Sequence, residues 1–512
     1  VNKSKRWFRP IVAGITVMSL LLTACSAESA PSASSEKERS KETSDNSSEA
    51  SELVIAIPIS QPEPKDMELV QEEVNKLTSN KINATVKLEL IPFSNWQQQM
   101  NLMMSSGEKL DVVVTMGSSG YATQAATGKL APLDDLLAQY GQGIADHLDR
   151  QYLNAAKVKG SIYGVPVIKA FANSFSYFLR KDLVDKHNID VASIQSFADI
   201  EHVLQIIKDK EPGITPLVPG GSGNLGVLMG YNYNYDGLSD GIGVLTDIDT
   251  LQVSNWYDSQ QYKDLVGMLR KWYQAGYILS DAATNQISSV QLVKAGKAFS
   301  YFSNSRPGFV TQETINSGTE MIEVELTPPV STTANVTMFL WSIANQSQQK
   351  EKAMQFLNLL YSDQELVNLL DWGIEGKHYQ KIADNVIDFA PGIDAATSGY
   401  LPSWSWLIGN SFLSYVMKGD DPDIWDKLKA FNSSATKSKA LGFNFNPAPV
   451  KNEYTAIANV LEQYTAALET GTLDPEKILP ELNGKLQISG IDKVVAEKQR
   501  QLEEWAELNQ IQ

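Results

Sequence analysis

In this 512-residue chain the side chains that could do covalent or metal chemistry are few or badly spaced. The single cysteine, Cys25, excludes an intramolecular disulfide and any thiolate metal cluster. The four histidines, His147, His187, His202 and His378, fall in no HExxH or HxH spacing, so a histidine-built zinc site is not expected. No GxSxG elbow, P-loop or Rossmann glycine fingerprint occurs, and the glycines at 220–226 lack the strand-then-helix setting of a phosphate loop. Sixty acidic residues leave a paired-carboxylate site open by count alone. Asp236 to Asp247 places Asp at positions 1, 5 and 12 and Gly at position 6 of a calcium-loop template, but Leu238 and Gly243 break it. Neither a metal nor a cofactor is expected. The richest material is aromatic: ten Trp and nineteen Tyr, densest in Tyr400-Leu401-Pro402-Ser403-Trp404-Ser405-Trp406. Arg306 stands before Pro307-Gly308, a fixed turn that could present a guanidinium to a hydroxyl or carboxylate.

The elements that position these groups begin after a targeting segment. Lys3, Lys5, Arg6 and Arg9 precede an apolar run from Ile11 to Leu22, and Leu22-Thr23-Ala24 leads to Cys25. About 12–14 apolar residues suit a signal-peptide core and are too few to span a bilayer. The pattern resembles a bacterial lipobox, which implies that residues 1–24 are removed and Cys25 becomes the lipidated first residue. Removal takes four positive charges from the formal −17 and leaves −21. Residues 25–52 are rich in serine and charge with no large apolar side chain, and read as a flexible tether. The acidic balance argues against a nucleic-acid binder, and no later stretch is apolar enough to cross a membrane.

The folded body starts at Leu53-Val54-Ile55-Ala56-Ile57, a continuous apolar run expected of a strand buried on both faces. Helical spacing over 66–76, strand alternation over 84–91, helical spacing over 96–105 and a strand at 110–114 follow. This alternation predicts an α/β fold with a largely parallel sheet, whose ligands sit outside the carboxyl ends of the strands. Gln61 and Glu63 after the first strand, and Ser119 and Tyr121 after the third, are therefore candidate site residues. Further strands and helices are expected up to Leu179, over 199–208, 264–275, 345–371 and 491–505. Trp256, Trp272, Trp425 and Trp505 fall on helical patterns and read as core. The segment 220–243, rich in Gly, Tyr and Asn, reads as loop and contributes Tyr233, Tyr235 and Asp236 as candidates.

Taken in order, several segments resemble the extracellular solute-binding proteins that feed carbohydrate ABC importers. They are Trp96 to Val113, Gly128-Lys129-Leu130-Ala131-Pro132-Leu133, Tyr163-Gly164-Val165-Pro166 and Arg180-Lys181-Asp182-Leu183. Ser305-Arg306-Pro307-Gly308, Trp372 to Tyr379 and Leu441-Gly442-Phe443-Asn444-Phe445 resemble the subgroup ending in a domain of unknown function, DUF3502. The resemblance implies a two-lobed, type II periplasmic-binding-protein-like α/β fold with lobes joined by strand crossovers. These are expected near Val165–Ala170, Met338–Ala344 and Asp371–Lys377. The amino-terminal lobe would be 53–168 plus 341–373, and the carboxyl-terminal lobe 169–340 plus 374–512.

A sugar offers apolar faces and a rim of hydroxyls, so its receptor needs aromatic platforms flanked by hydrogen-bonding side chains. The resemblance makes Trp404 and Trp406 the foremost platforms, with Trp372 and Glu375 at a crossover and Arg306 on its turn; neutral and uronic-acid sugars both stay open. His378 reads as hydrogen-bonded structure. The implied protein is a monomeric, lipid-anchored receptor on the outer face of the cell membrane. It would capture an oligosaccharide between its lobes and pass it to an ABC permease, without catalysis. A cell-surface glycoside hydrolase and an occupancy receptor for a sensor kinase are the alternatives.

Overall fold

The structure, a computed structural model, describes residues 51–219, 234–402 and 404–511. Strand β1 (Ser51–Ile59) is buried from Leu53 to Pro58, as its unbroken apolar run requires. Its first two residues pair with Ala84 and Thr85, so the expected tether gives up Ser51 and Glu52 to the fold. Helix α1 (Met67–Ile82) buries Met67, Val70, Val74 and Leu77, one stripe at helical spacing, and ends where Asn83 turns left-handed at φ 49°. β2 (Ala84–Pro92) returns parallel to β1 along its whole length. Helix α2 (Trp96–Ser106) buries Trp96, Met100, Met103 and Met104 and leads to β3 (Val112–Thr115). Asp111, just before β3, is buried; its carboxylate accepts from the Val54 amide at 2.9 Å and the Ser347 hydroxyl at 2.5 Å.

The chain continues through β4 (Gly164–Pro166) and β5 (Ser174–Arg180), then α3 (Phe197–Lys210), β6 (Thr215–Leu217) and α4 (Gln260–Gln274). Next come β7 (Ala298–Ser305), α5 (Phe309–Ser317), β8 (Met321–Glu325), β9 (Val330–Ser331) and β10 (Leu340–Ile343). Helices α6 (Lys350–Ser362) and α7 (Gln364–Trp372) precede β11 (Tyr379–Ala383), β12 (Val386–Phe389) and β13 (Val416–Met417). The end is α8 (Ile424–Ser434), β14 (Thr436–Lys437), α9 (Lys451–Glu469), α10 (Pro475–Ile488) and α11 (Ile491–Asn509).

Two sheets organise two hydrophobic cores. The first has the order β2-β1-β3-β10-β4. β1, β2 and β3 are parallel as expected, whereas β10 runs antiparallel to both of its neighbours. β10 arrives from the other lobe and enters at the opposite end of the sheet, which reverses it. The second sheet, β8-β5-β7-β6, departs further from the parallel expectation: β5 is antiparallel to β7 and β8, and only β6 and β7 are parallel. Phe175, Tyr177, Phe299 and Phe302 of this sheet pack with Trp256 and Trp272 and with the carboxyl-terminal helices through Leu461, Leu482 and Val494. Trp256 and Trp272 are core, as their helical spacing indicates.

Among the described residues, three segments cross between the cores. The first is 167–173, between β4 and β5, and the second is 332–339, between β9 and β10. The third was expected at 371–377 and lies instead near 435–440. After α7 and the β11–β12 hairpin the chain returns to the first core, where Tyr400, Trp404, Leu407 and Ile408 are buried. Tyr400, Trp404, Leu407 and Ile408 therefore leave the lobe assigned to them from sequence. At this third crossover, β9 pairs parallel with β14 and Asn173 bridges Val330. Asn432 fastens it: its Oδ1 accepts from the Phe171 amide and its Nδ2 donates to the Lys169 carbonyl, both at 2.8 Å.

Candidate ligand cleft

A cavity of about 600 Å³ opens where the two lobes and the first two crossovers meet. The second lobe contributes the turn between β7 and α5, carrying Arg306, Pro307, Gly308 and Phe309. The first lobe contributes Trp372 at the end of α7, Trp406, Tyr415 and, from α8, Trp425. Lys169 and Asn173 come from the first crossover, Met338 and Phe339 from the second. The cavity thus lies outside the carboxyl end of β4 and beside the start of β10, at the far edge of the sheet from β1.

Each wall is held by groups beneath it. On the second lobe, the Tyr301 hydroxyl of β7 donates to the buried Glu313 carboxylate of α5 at 2.6 Å, fixing the turn between them. Gly308 sits at φ 84°, and a Cβ there would lie 2.8 Å from Ile424 Cδ1 of α8. The left-handed backbone favours glycine here, and a side chain would have to displace Ile424 of α8. On the first lobe, buried Asp371 accepts from the Ser414 hydroxyl at 2.5 Å and from the backbone amides of Trp404 and Ser405. The Trp372 indole donates to the same Ser414 oxygen at 2.9 Å. One carboxylate therefore holds both tryptophan-bearing segments of the cavity.

Burial pushes the Asp371 carboxyl up from 3.8 to about 6, against the hydrogen bonds that favour its charged form. A carboxyl raised in this way carries an extra proton in the native state between the two values. Its contribution favours the fold at and below about pH 4 and is lost as pH rises through 6. Asp371→Asn is expected to flatten the fall in urea midpoint between pH 4 and 6 relative to the unaltered protein. An unchanged slope would place the titration elsewhere.

The cavity walls combine rings and polar groups. Phe309, Phe339, Trp372, Trp406, Tyr415 and Trp425 are all half-buried, which leaves ring surface facing the space. Trp406 meets Phe339 edge-on with centroids 4.9 Å apart. Arg306 lies 5.1 Å over Phe309 and Lys169 4.7 Å over Phe339. Asp420 stands at the exposed rim, and Asp421 is ion-paired with Lys427. Such a space can hold a flat, hydroxylated solute by stacking and hydrogen bonds.

Of the residues singled out from sequence, the structure brings Trp372, Trp406 and Arg306 together on this cavity. Trp404 is 3 % exposed, inside the first core with Trp341 and Leu370, and is no platform in this structure. Tyr121 is fully buried, its hydroxyl donating to the Ala156 carbonyl at 2.5 Å and accepting from the Tyr163 amide at 3.2 Å. Ser119 lies in a turn covered by the second crossover, where the Gly117 amide donates to the Thr337 carbonyl. Gln61 and Glu63 are exposed and do not line the cavity. Glu375 is exposed on a different groove, paired with Lys381 at 3.0 Å. Tyr235 and Asp236 are buried in the second lobe, the former against Trp256 and the latter accepting from the Leu238 amide. Tyr233 lies outside the described residues. His378 is structural: Nδ1 accepts from the Ile374 amide at 2.9 Å, which leaves Nε2–H to donate to Asp66 at 3.0 Å.

Trp425, read as core, is half-buried on the cavity wall, tilted against Phe412 with centroids 5.9 Å apart. Lys169, Phe339 and Asp420 were not anticipated. The first two flank crossovers placed near 165–170 and 338–344, and residues at a crossover border the cleft by construction; Asp420 carries no signal in its surroundings.

The family described as bacterial extracellular solute-binding protein matches residues 61–366, and the domain of unknown function DUF3502 matches residues 439–507. The chain belongs to the bacterial extracellular solute-binding proteins. A carbohydrate ABC transporter substrate-binding protein of Streptococcus pneumoniae serotype 4 is 30 % identical over 461 residues, 86 % of this chain and 89 % of that protein. Lipoprotein LipO of Bacillus subtilis is 21 % identical over 351 residues, 64 % of this chain and 67 % of that protein. Among solved structures, the N-glycan transport solute-binding protein NgtS of Streptococcus pneumoniae is 28 % identical with a TM-score of 0.78, covering 89 % of this chain and 99 % of that one. NgtS in complex with Man1GlcNAc and with Man5GlcNAc gives TM-scores of 0.69 and 0.66 over the same shares. As a solute-binding protein, this chain has the expected two-lobed α/β fold.

Proposed function

We propose that this solute-binding protein is an oligosaccharide receptor of an ABC importer, with the cavity between its lobes as the sugar site. The observation that carries the reading is the set of six half-buried aromatic rings and the polar side chains of Arg306, Lys169, Asn173 and Gln312 around one space of about 600 Å³. Rings match the apolar faces of a pyranose, and the polar groups match its hydroxyl rim. NgtS, with bound Man1GlcNAc and Man5GlcNAc, supports a glycan of several units. Its TM-score to this chain falls from 0.78 to 0.66 between its own structures, as a hinge rotation of one lobe against the other would produce. A ligand that touches both lobes favours the closed arrangement by its differential affinity, and the closed form is what a permease would read. Asn432 and the β9–β14 pair are the pivot in this reading.

The lipobox-like end adds a location. Cys25 carries a lipid, residues 1–24 are its signal peptide, and the monomeric body stands off the outer face of the membrane near its permease. The name of LipO and the absence of a helix long and apolar enough to cross a membrane among the described residues are consistent with an anchor of this kind. Cys25→Ala is expected to move the protein from the membrane fraction to the medium; equal membrane retention would remove the anchor from the account.

Screening the purified protein for thermal stabilisation against neutral and acidic oligosaccharides, with product analysis of each mixture, tests the receptor reading. Saturable stabilisation with intact sugar is the expected result. Cleaved sugar would replace it with the hydrolase reading, and no stabilisation by any oligosaccharide would end it.

A further inference from the structure

The cavity holds two unpaired cations in a strongly anionic protein. The chain carries a formal charge of −17, yet two of the side chains facing this space are Lys169 and Arg306. Neither belongs to an ion pair among the described residues. The Lys169 ammonium rests 3.2 Å from the Met338 sulfur and 4.7 Å over the Phe339 ring. Arg306 reaches the Gln312 side-chain oxygen at 3.5 Å and lies over Phe309. Two of the acids around this space are committed elsewhere: Glu313 accepts from Tyr301, and Asp421 is paired with Lys427. Asp420 remains at the exposed rim as the one carboxylate of the cavity without an ion pair among the described residues.

Charged groups held half-buried without a counterion are costly, and the cost grows when two of like sign share a low-dielectric space. Here the two are close enough to feel each other. Burial first, and then the Arg306 charge, push the Lys169 ammonium down to about 7. Burial also lowers Arg306, against the attraction of Glu313. A neutral sugar would offer both groups hydroxyl acceptors but leave their charges uncompensated. An anion placed between them would neutralise both, and the planar guanidinium fork suits two coplanar oxygens.

We infer that the natural ligand is an acidic oligosaccharide whose carboxylate or sulfate is bound between Arg306 of the second lobe and Lys169 of the first crossover. The inference rests on the receptor reading above and narrows its ligand class. Because one cation sits on the moving lobe and the other at the hinge, the anion also ties closure to the correct ligand. The aromatic rings hold the rest of the chain, which gives affinity without charge selectivity.

Calorimetric titration with three matched sets tests this: uronate-bearing oligosaccharides of two to six units, their carboxyl-reduced neutral counterparts, and sulfated forms of those neutral counterparts. The expected result is that the uronate or the sulfated set binds at least tenfold more tightly than the neutral one, and the stronger of the two names the anion. Arg306→Gln and Lys169→Met should each erase most of that preference, weakening the acidic forms several-fold more than the neutral ones. Neutral forms binding as tightly as acidic ones, or variants that weaken both equally, would overturn the inference and leave the receptor reading intact. No binding by any of the three sets, with neutral glycans outside them stabilising the protein, would overturn it in the same way. No binding by any oligosaccharide at all would remove both.

Discussion

Trp406→Ala is expected to weaken oligosaccharide binding roughly 10- to 100-fold, about 1.4–2.8 kcal/mol, and to leave the thermal midpoint nearly unchanged. The ring is half-buried on the cavity wall, edge-on to Phe339 and at the margin of the first core, so its loss removes a wall of the site and opens no void inside the fold. Trp404→Ala, two residues away, should do the reverse. That ring is 3 % exposed, packs edge-on to Tyr400 with centroids 6.4 Å apart, and fills the first core. Truncating such a ring costs about 3–5 kcal/mol of stability. Thermal melts and calorimetry on both variants separate the roles. Equal loss of affinity with equal stability in the two would show that the tryptophans share one function, contrary to the structure.

Gly373→Ala should be among the most damaging small substitutions in the chain. Gly373 has φ 83° and ψ −142°, a backbone conformation reserved for glycine. A Cβ there would sit 2.3 Å from His378 Nδ1 and 2.8 Å from Tyr400 Cδ1. Both neighbours are fixed: His378 accepts from the Ile374 amide and contacts Asp66, and the Tyr400 hydroxyl donates to the Leu370 carbonyl at 2.7 Å. Neither can step aside without losing its partner. Strain and overpacking together cost about 2–5 kcal/mol. The adjacent Trp372 would shift with the backbone, so sugar affinity should fall as well. A variant with an unchanged urea midpoint would show that the turn relaxes freely and that Trp372 is not held by it.

The first sheet was legible because its strands announce themselves locally. Leu53 to Ile57 is an unbroken apolar run, and the structure buries all of it. The direction of β10 was not legible, because it depends on the chain crossing from the other lobe and no local pattern records that. The third crossover was misplaced for a related reason. Gly373 and Gly376 mark a turn, but the chain beyond them folds back on its own lobe before it leaves at 435–440.

The candidate site shows the same division. Aromatic density pointed to the right segment at 400–406 but could not tell which ring faces the cavity. A turn at this point, with the amides of Leu407 and Ile408 both donating to the Trp404 carbonyl, sends one tryptophan inward and the other outward. Asp371, which holds that turn, lies some thirty residues earlier in the chain and looks from sequence like any helix-end acid. Arg306 was recognisable from its Pro-Gly turn. Lys169 was not, since lysines are ordinarily solvated and only its place at a crossover sets it apart.

The most direct test is a crystal structure of the protein with the oligosaccharide that stabilises it most in the thermal screen. The account predicts a sugar ring stacked on Trp406 or Trp372, Arg306 hydrogen-bonded to it from the second lobe, and the lobes closed about the β9–β14 hinge. Sugar bound outside the cavity, or inside it with contacts to one lobe only, would contradict the claim that the two lobes clasp the ligand between them.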